Sequence, residues 1–242
     1  MRRFGAALLA TTAALAQDLR PNLPPIPTYE VHRATGRIVL DGKTDDPAWS
    51  KAQPVTFQFP WEKQTGAKQK TTARLLWDDQ YLYVFYECED TDIIALHADR
   101  DDPTYKDDAV EIFINPDPKQ DFYYGMEINA RAVVYDYFYA FPRLLIKRVD
   151  FQGLQVASYI RGTVNTRGDQ DNGWSLELAI PWRNFTELQS KLPPGRGDVW
   201  TFNMNRWDGV EPDRRLSQWS DSGLVTPNPH NPARFGRLVF VD

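Results

Sequence analysis

Several short runs put carboxylates and carboxamides on one side of an extended chain and aliphatic residues on the other. Val110, Ile112 and Ile114 share one face, and Glu111 points the opposite way. Tyr124, Met126 and Ile128 alternate with Glu127 and Asn129. Trp200, Phe202 and Met204 alternate with Asn203, Asn205 and Trp207, and Leu176, Leu178 and Ile180 oppose Ser175 and Glu177. An antiparallel sheet often leaves one polar face in water, so a plain solvated surface is the competing account. The residue types favour a binding face. Glu, Asn and Trp combine short hydrogen-bonding groups with rings, which suits sugar hydroxyls above an apolar sugar face.

Catalysis has less support. Glycoside hydrolysis needs two carboxylates across the scissile bond, and Glu111, Glu127 and Glu177 lie on one class of face. An open sheet face would not desolvate any of them into a general acid. No G-x-S-x-G, H-E-x-x-H or phosphate loop occurs. A haem site would need axial His or Met, with His32, His97, His230, Met126 and Met204 as the available residues.

The acidic runs Glu89-Asp90-Thr91-Asp92, Asp99-Arg100-Asp101-Asp102 and Asp107-Asp108 are oxygen-rich. Calcium takes six to eight oxygen ligands, which makes Asp90, Asp92, Asp107 and Asp108 its candidate positions. Turn aspartates that cap backbone amides are the alternative. The single cysteine, Cys88, precludes an intrachain disulfide and falls in an apolar run, as expected of a buried thiol.

The elements that must position these residues read as strands. Periodicity is mostly two, with strand signals at 37–40, 72–77, 81–88, 109–114, 154–163, 174–180, 200–207 and 236–241, and a strand pair within the aromatic stretch 122–139. Asp171-Asn172-Gly173 signals a hairpin turn. Helical turns are expected only at 45–52, with Asp45 or Asp46 as N-cap and Pro47 near N1, and at 182–190. The expected fold is therefore an all-β antiparallel sandwich of immunoglobulin or jelly-roll type with one or two short helices.

Arg2 and Arg3, the apolar stretch 4–15 and Ala14-Leu15-Ala16 read as a signal peptide over 1–16. A Pro-rich linker is expected over 17–29 and one domain over 30–242. A secreted or periplasmic location follows. The net charge of −5 argues against nucleic acid as the partner. No membrane insertion is expected, and the oligomeric state stays open.

Six motifs in order resemble the family 9 carbohydrate-binding modules. They are Leu40-Asp41-Gly42 leading to Pro47-Ala48-Trp49, Leu76-Trp77-Asp78-Asp79-Gln80-Tyr81-Leu82-Tyr83-Val84, Asp108-Ala109-Val110-Glu111-Ile112-Phe113-Ile114, Gly173-Trp174-Ser175-Leu176-Glu177-Leu178-Ala179-Ile180-Pro181-Trp182, Phe202-Asn203, and His230-Asn231-Pro232-Ala233-Arg234-Phe235-Gly236. The resemblance implies a β-sandwich that holds the end of an oligo- or polysaccharide between aromatic rings, without cutting it. Structural calcium often accompanies the family. By motif, the first clamping ring falls at Tyr105, the carboxylate at Glu111, and further hydrogen-bonding positions at Glu127, Asn129 and Asn205. No Trp precedes the last motif, so His230 or Trp207 stands where the second ring is expected. A structural or protein-interaction sandwich that lost its sugar site is the alternative.

Overall fold

The computed structural model describes residues 18–140, 144–147, 149–189 and 191–242; the expected signal peptide lies outside them. Thirteen strands form among the described residues. They are β1 (Thr28–Arg33), β2 (Val55–Thr56), β3 (Thr71–Trp77), β4 (Tyr81–Cys88), β5 (Ala109–Asn115), β6 (Phe122–Asn129), β7 (Val134–Ala140), β8 (Leu144–Lys147), β9 (Gln155–Ile160), β10 (Trp174–Pro181), β11 (Val199–Asp208), β12 (Arg215–Gln218) and β13 (Gly236–Val241). They run as one continuous sheet in the order β8-β7-β6-β5-β11-β13-β1-β3-β4-β10-β9, with β12 on β11 and β2 on β3. The sheet curls back on itself. Core residues of β5, β6 and β11 pack against those of β3, β4 and β10 in one apolar cluster, which makes the domain a β-sandwich.

The purely antiparallel expectation needs refinement. β1 pairs in parallel with both β13 and β3, at the seam between the two layers. Among the described residues the only helical elements are short 3-10 turns. The turn at Pro47–Lys51 has Asp46 before it, but Asp46 makes no cap bond. Its carboxylate accepts from the Val39 amide at 2.7 Å instead. The second helical turn is confined to Trp182–Phe185. Residues 37–40 form no strand; they belong to a loop laid over the outer face of β10. Gly173 has a positive φ of 91°, yet the chain between β9 and β10 is a long excursion rather than a two-residue hairpin.

Aromatic rings knit the layers together. Trp200 meets Phe185 at 5.2 Å and Trp182 at 5.6 Å, both edge-on, and Phe185 meets Tyr124 at 5.4 Å. Edge-to-face pairs add roughly 0.5–1.5 kcal/mol each beyond burial. Met126 and Met204 are fully buried here, and Cys88 beside them is buried with its thiol pushed up to about 12 by desolvation. These methionines therefore have no way to reach a haem. The Pro-rich segment is not a free spacer. Leu19 bridges to Leu224, the Arg20 amide donates to the Gly223 carbonyl at 2.7 Å, and Arg234 donates to the Pro24 carbonyl at 2.7 Å. Its backbone finds partners in the 219–234 loop, which holds it against the domain.

Candidate functional site

The outward face of the β11-β5-β6-β7 layer carries the site. Antiparallel register aligns Gln218, Asn205, Glu111, Glu127 and Tyr135 in one row across five strands. Directly opposed side chains in such a pair have Cβ atoms about 4.5–5.5 Å apart, so the two glutamates stand side by side. In the next row, Phe113, Gly125 and Tyr137 align. Gly125 is required there: the Tyr137 ring lies across the strand, and any Cβ at 125 would collide with it.

Above this floor opens a cleft of about 370 Å³, lined by Tyr105, Glu111, Glu127, Tyr135, Tyr137, Tyr139, Leu145, Trp207, Arg214 and the 227–230 segment with His230. Small-molecule pockets span roughly 300–1,000 Å³, so the cleft has room for a small ligand. Tyr105 sits on the 3-10 turn Thr104–Lys106. Thr104 donates its hydroxyl to the Glu127 carbonyl at 2.8 Å, which pins the turn beside the glutamates. Tyr105 then meets Tyr135 edge-on at 5.7 Å.

The structure thus brings Tyr105, Glu111, Glu127, Trp207 and His230 to one cleft. His230 is a wall rather than a free rim. Its ring stacks on Phe113 at 4.9 Å and 15°, and its Nδ1 lies 2.6 Å from the Tyr123 hydroxyl. Burial lowers its pKa to about 4, so the ring is neutral.

Two expected residues play other parts. Asn129 lies outside the cleft and is fully buried. Its Nδ2 donates to the His97 carbonyl and to Asp107, each at 2.9 Å, and its Oδ1 accepts from the Arg131 and Val133 amides at 3.1 Å. With every polar atom committed, it holds the 97–107 loop and has nothing left for a ligand. Asn205 backs the row instead of lining the cleft. Its Oδ1 accepts from Gln218 at 3.0 Å, while its Nδ2, aligned with Glu111, makes no well-formed hydrogen bond.

Burial is what charges this floor with chemistry. Desolvation pushes the Glu111 carboxyl up to about 7, against the pull of Arg214, Trp207 and Asn205. The expectation that an open sheet face would leave it unperturbed therefore fails, because the surrounding loops turn the face into a cleft. Glu111 Oε2 has no hydrogen-bond partner among the described residues. Buried polar atoms are normally paired, and one left unpaired costs about 1–3 kcal/mol.

Among the described residues the four positions named for calcium do not gather into one group. Asp92 pairs with Arg167 at 3.0 Å, and Asp107 accepts from His97 and Asn129. Asp90 and Asp108 do meet, together with Asp208, but Arg206 supplies the positive charge. Its Nη2 donates to Asp90 and Asp208, both at 2.9 Å, and Asp208 also pairs with Arg215. Asp108 accepts from the Ile94 and Gly209 amides, both at 2.6 Å. The second acidic group, Asp101, Asp136 and Asp150, has Arg100 bonded to two of its members. Asp92 Oδ1 and Asp101 Oδ1 are left without a hydrogen-bond partner among the described residues.

Sequence reasoning missed Tyr135, Tyr137, Tyr139 and Arg214. The three tyrosines alternate with period two, and register with Glu127 would have placed them on its face. Arg214 carried no signal, because it lies on a loop.

A family model, carbohydrate family 9 binding domain-like, matches residues 40–242. The chain belongs to that family. It is 28% identical over 191 residues to the exoglucanase XynX of Acetivibrio thermocellus, covering 79% of this chain and 14% of that protein. It is 26% identical over 206 residues to an endo-1,4-beta-xylanase A of Thermotoga maritima, covering 85% of this chain and 17% of that one. The chain thus spans only a small part of these relatives. Among solved structures it resembles a carbohydrate binding module family 9 from Caldicellulosiruptor kristjanssonii in complex with cellotriose. The TM-score is 0.62 at 19% identity, covering 88% of this chain and 93% of that one. A module of the same family and organism in complex with glucose has a TM-score of 0.55, also at 19% identity, covering 88% and 95%. At this identity the likeness supports the fold.

Proposed function

We propose that this protein binds the end of a carbohydrate chain in the Glu111–Glu127 cleft without cutting it. One observation carries the reading: a floor of two adjacent carboxylates, with Glu111 Oε2 left without a hydrogen-bond partner, walled by tyrosine rings. A sugar hydroxyl that donates satisfies Glu111 Oε2. The rings take the apolar face of the sugar, with Tyr105 as the platform. Family membership and the glucose and cellotriose complexes of its structural neighbours support the same ligand class.

The two carboxylates rise from neighbouring positions on one floor. The basic and apolar N-terminal segment supports a secreted or periplasmic site of action.

Titration with cello-, xylo- and manno-oligosaccharides, followed by tryptophan fluorescence and calorimetry, tests the reading. Binding by at least one series is expected, with no release of reducing sugar. Silence across all three series would overturn it.

A further inference from the structure

Arg214 lies on the connection between β11 and β12, outside every motif that pointed to the site. It lines the cleft, and its guanidinium carbon sits 4.1 Å from the centroid of the Trp207 ring. One face of Trp207 is therefore already covered by a planar cation. The Nε and Nη2 atoms of Arg214 are hidden from solvent and have no acceptor among the described residues. Glu111 is the charge that supports it most, set against the desolvation that lowers its pKa. Yet Glu111 Oε2 is also unpartnered. The guanidinium and the carboxylate line one cleft and do not close on each other.

From this we infer that Arg214 is a ligand-reading residue and that Trp207 acts by holding it in place. The inference rests on the sugar reading and sharpens it. An anionic ligand would serve Arg214 and be repelled by the two glutamates. A cationic one would serve the glutamates and leave the guanidinium hydrogens unpaired. Two adjacent hydroxyls of a neutral pyranose serve both, one accepting from Arg214 and its neighbour donating to Glu111. The flat guanidinium donates from fixed positions, which a lysine ammonium does not reproduce. Trp207 is then a positioning residue, its ring engaged by the guanidinium rather than by the sugar.

Calorimetry at pH 8 with cellotriose, xylotriose and mannotriose, on the wild type, Arg214→Ala, Arg214→Lys, Trp207→Leu and the Arg214→Ala/Trp207→Leu pair, tests this. Urea unfolding of each serves as the control. Expected is a tenfold or greater loss of affinity for Arg214→Ala, a loss nearly as large for Arg214→Lys, and unchanged unfolding midpoints for both. The double variant should bind no more weakly than Arg214→Ala alone, because Trp207 works through the arginine. If the wild type binds a trisaccharide and Arg214→Ala binds it within twofold, Arg214 is not a reader and sugar binding itself stands. Losses that add in the double variant overturn the positioning role of Trp207. A wild type that binds none of the three sinks both the sugar reading and this one.

Discussion

Glu111 on β5 and Glu177 on β10 start from the same local pattern. Each is an outward carboxylate between core-facing aliphatics, and burial pushes each up to about 7. Their surroundings differ. A loop folds over Glu177 and saturates it: Oε2 accepts from the Asp41 and Gly42 amides at 3.0 and 3.1 Å, and Oε1 from the Trp49 indole at 3.1 Å. Ala48, Trp49 and Ala52 then seal it against Tyr83 and Phe85. Over Glu111 the loops stand back and leave a cleft, and Oε2 is unpaired. A buried glutamate whose acceptors are all filled is a clasp for the chain. One left with an orphan oxygen at the bottom of a cleft is a place for a ligand.

The sharpest way to break this contrast is Glu177→Leu. Three donors, two of them buried, lose their acceptor together, and each buried orphaned group costs about 1–3 kcal/mol. A loss of about 3 kcal/mol or more in urea unfolding is expected, with sugar affinity retained by the folded fraction. Glu111→Gln should act the opposite way. A carboxyl with a raised folded pKa binds its proton more tightly folded than unfolded, so its stabilising effect is full below the unfolded value of about 4.5. That effect is lost as pH rises through about 7. Apo wild type should therefore weaken from pH 4.5 to pH 8, and Glu111→Gln should flatten that slope by about 1–3 kcal/mol. An equal slope in both proteins would mean that Glu111 is not the buried acid. In ligand titrations Glu111→Gln should cost about 1.4 kcal/mol, a tenfold drop in affinity, where an equivalent Glu177→Gln change leaves affinity alone. Smallest is Tyr105→Ala, expected to weaken binding by about 0.5–1.5 kcal/mol through lost stacking, read from the same titrations with the unfolding midpoint unchanged.

Much of the strand pattern was legible in the chain. Period-two alternation placed β3, β4, β5, β10, β11 and β13, and it told which side of each strand Glu111, Glu127, Asn205 and Glu177 occupy. The short strands β2 and β12 were not legible, because two to four residues carry too little periodicity. The segment 37–40 looked β-prone and instead became cover for β10, since its neighbours bond to Glu177 rather than to a strand partner.

Local sequence determines direction, because successive side chains on a strand must point to opposite faces. It therefore determined that these carboxylates leave the core. What meets them on the far side was decided only by tertiary structure. The Asp41 amide that saturates Glu177 comes from 136 residues away. Asp107, from an adjoining loop, consumes Asn129, and Arg214 reaches the cleft from a loop with no periodic signal. Hydrogen-bond saturation is a property of the folded neighbourhood, and it separates a glutamate that holds the protein together from one left with an unpartnered oxygen in a cleft.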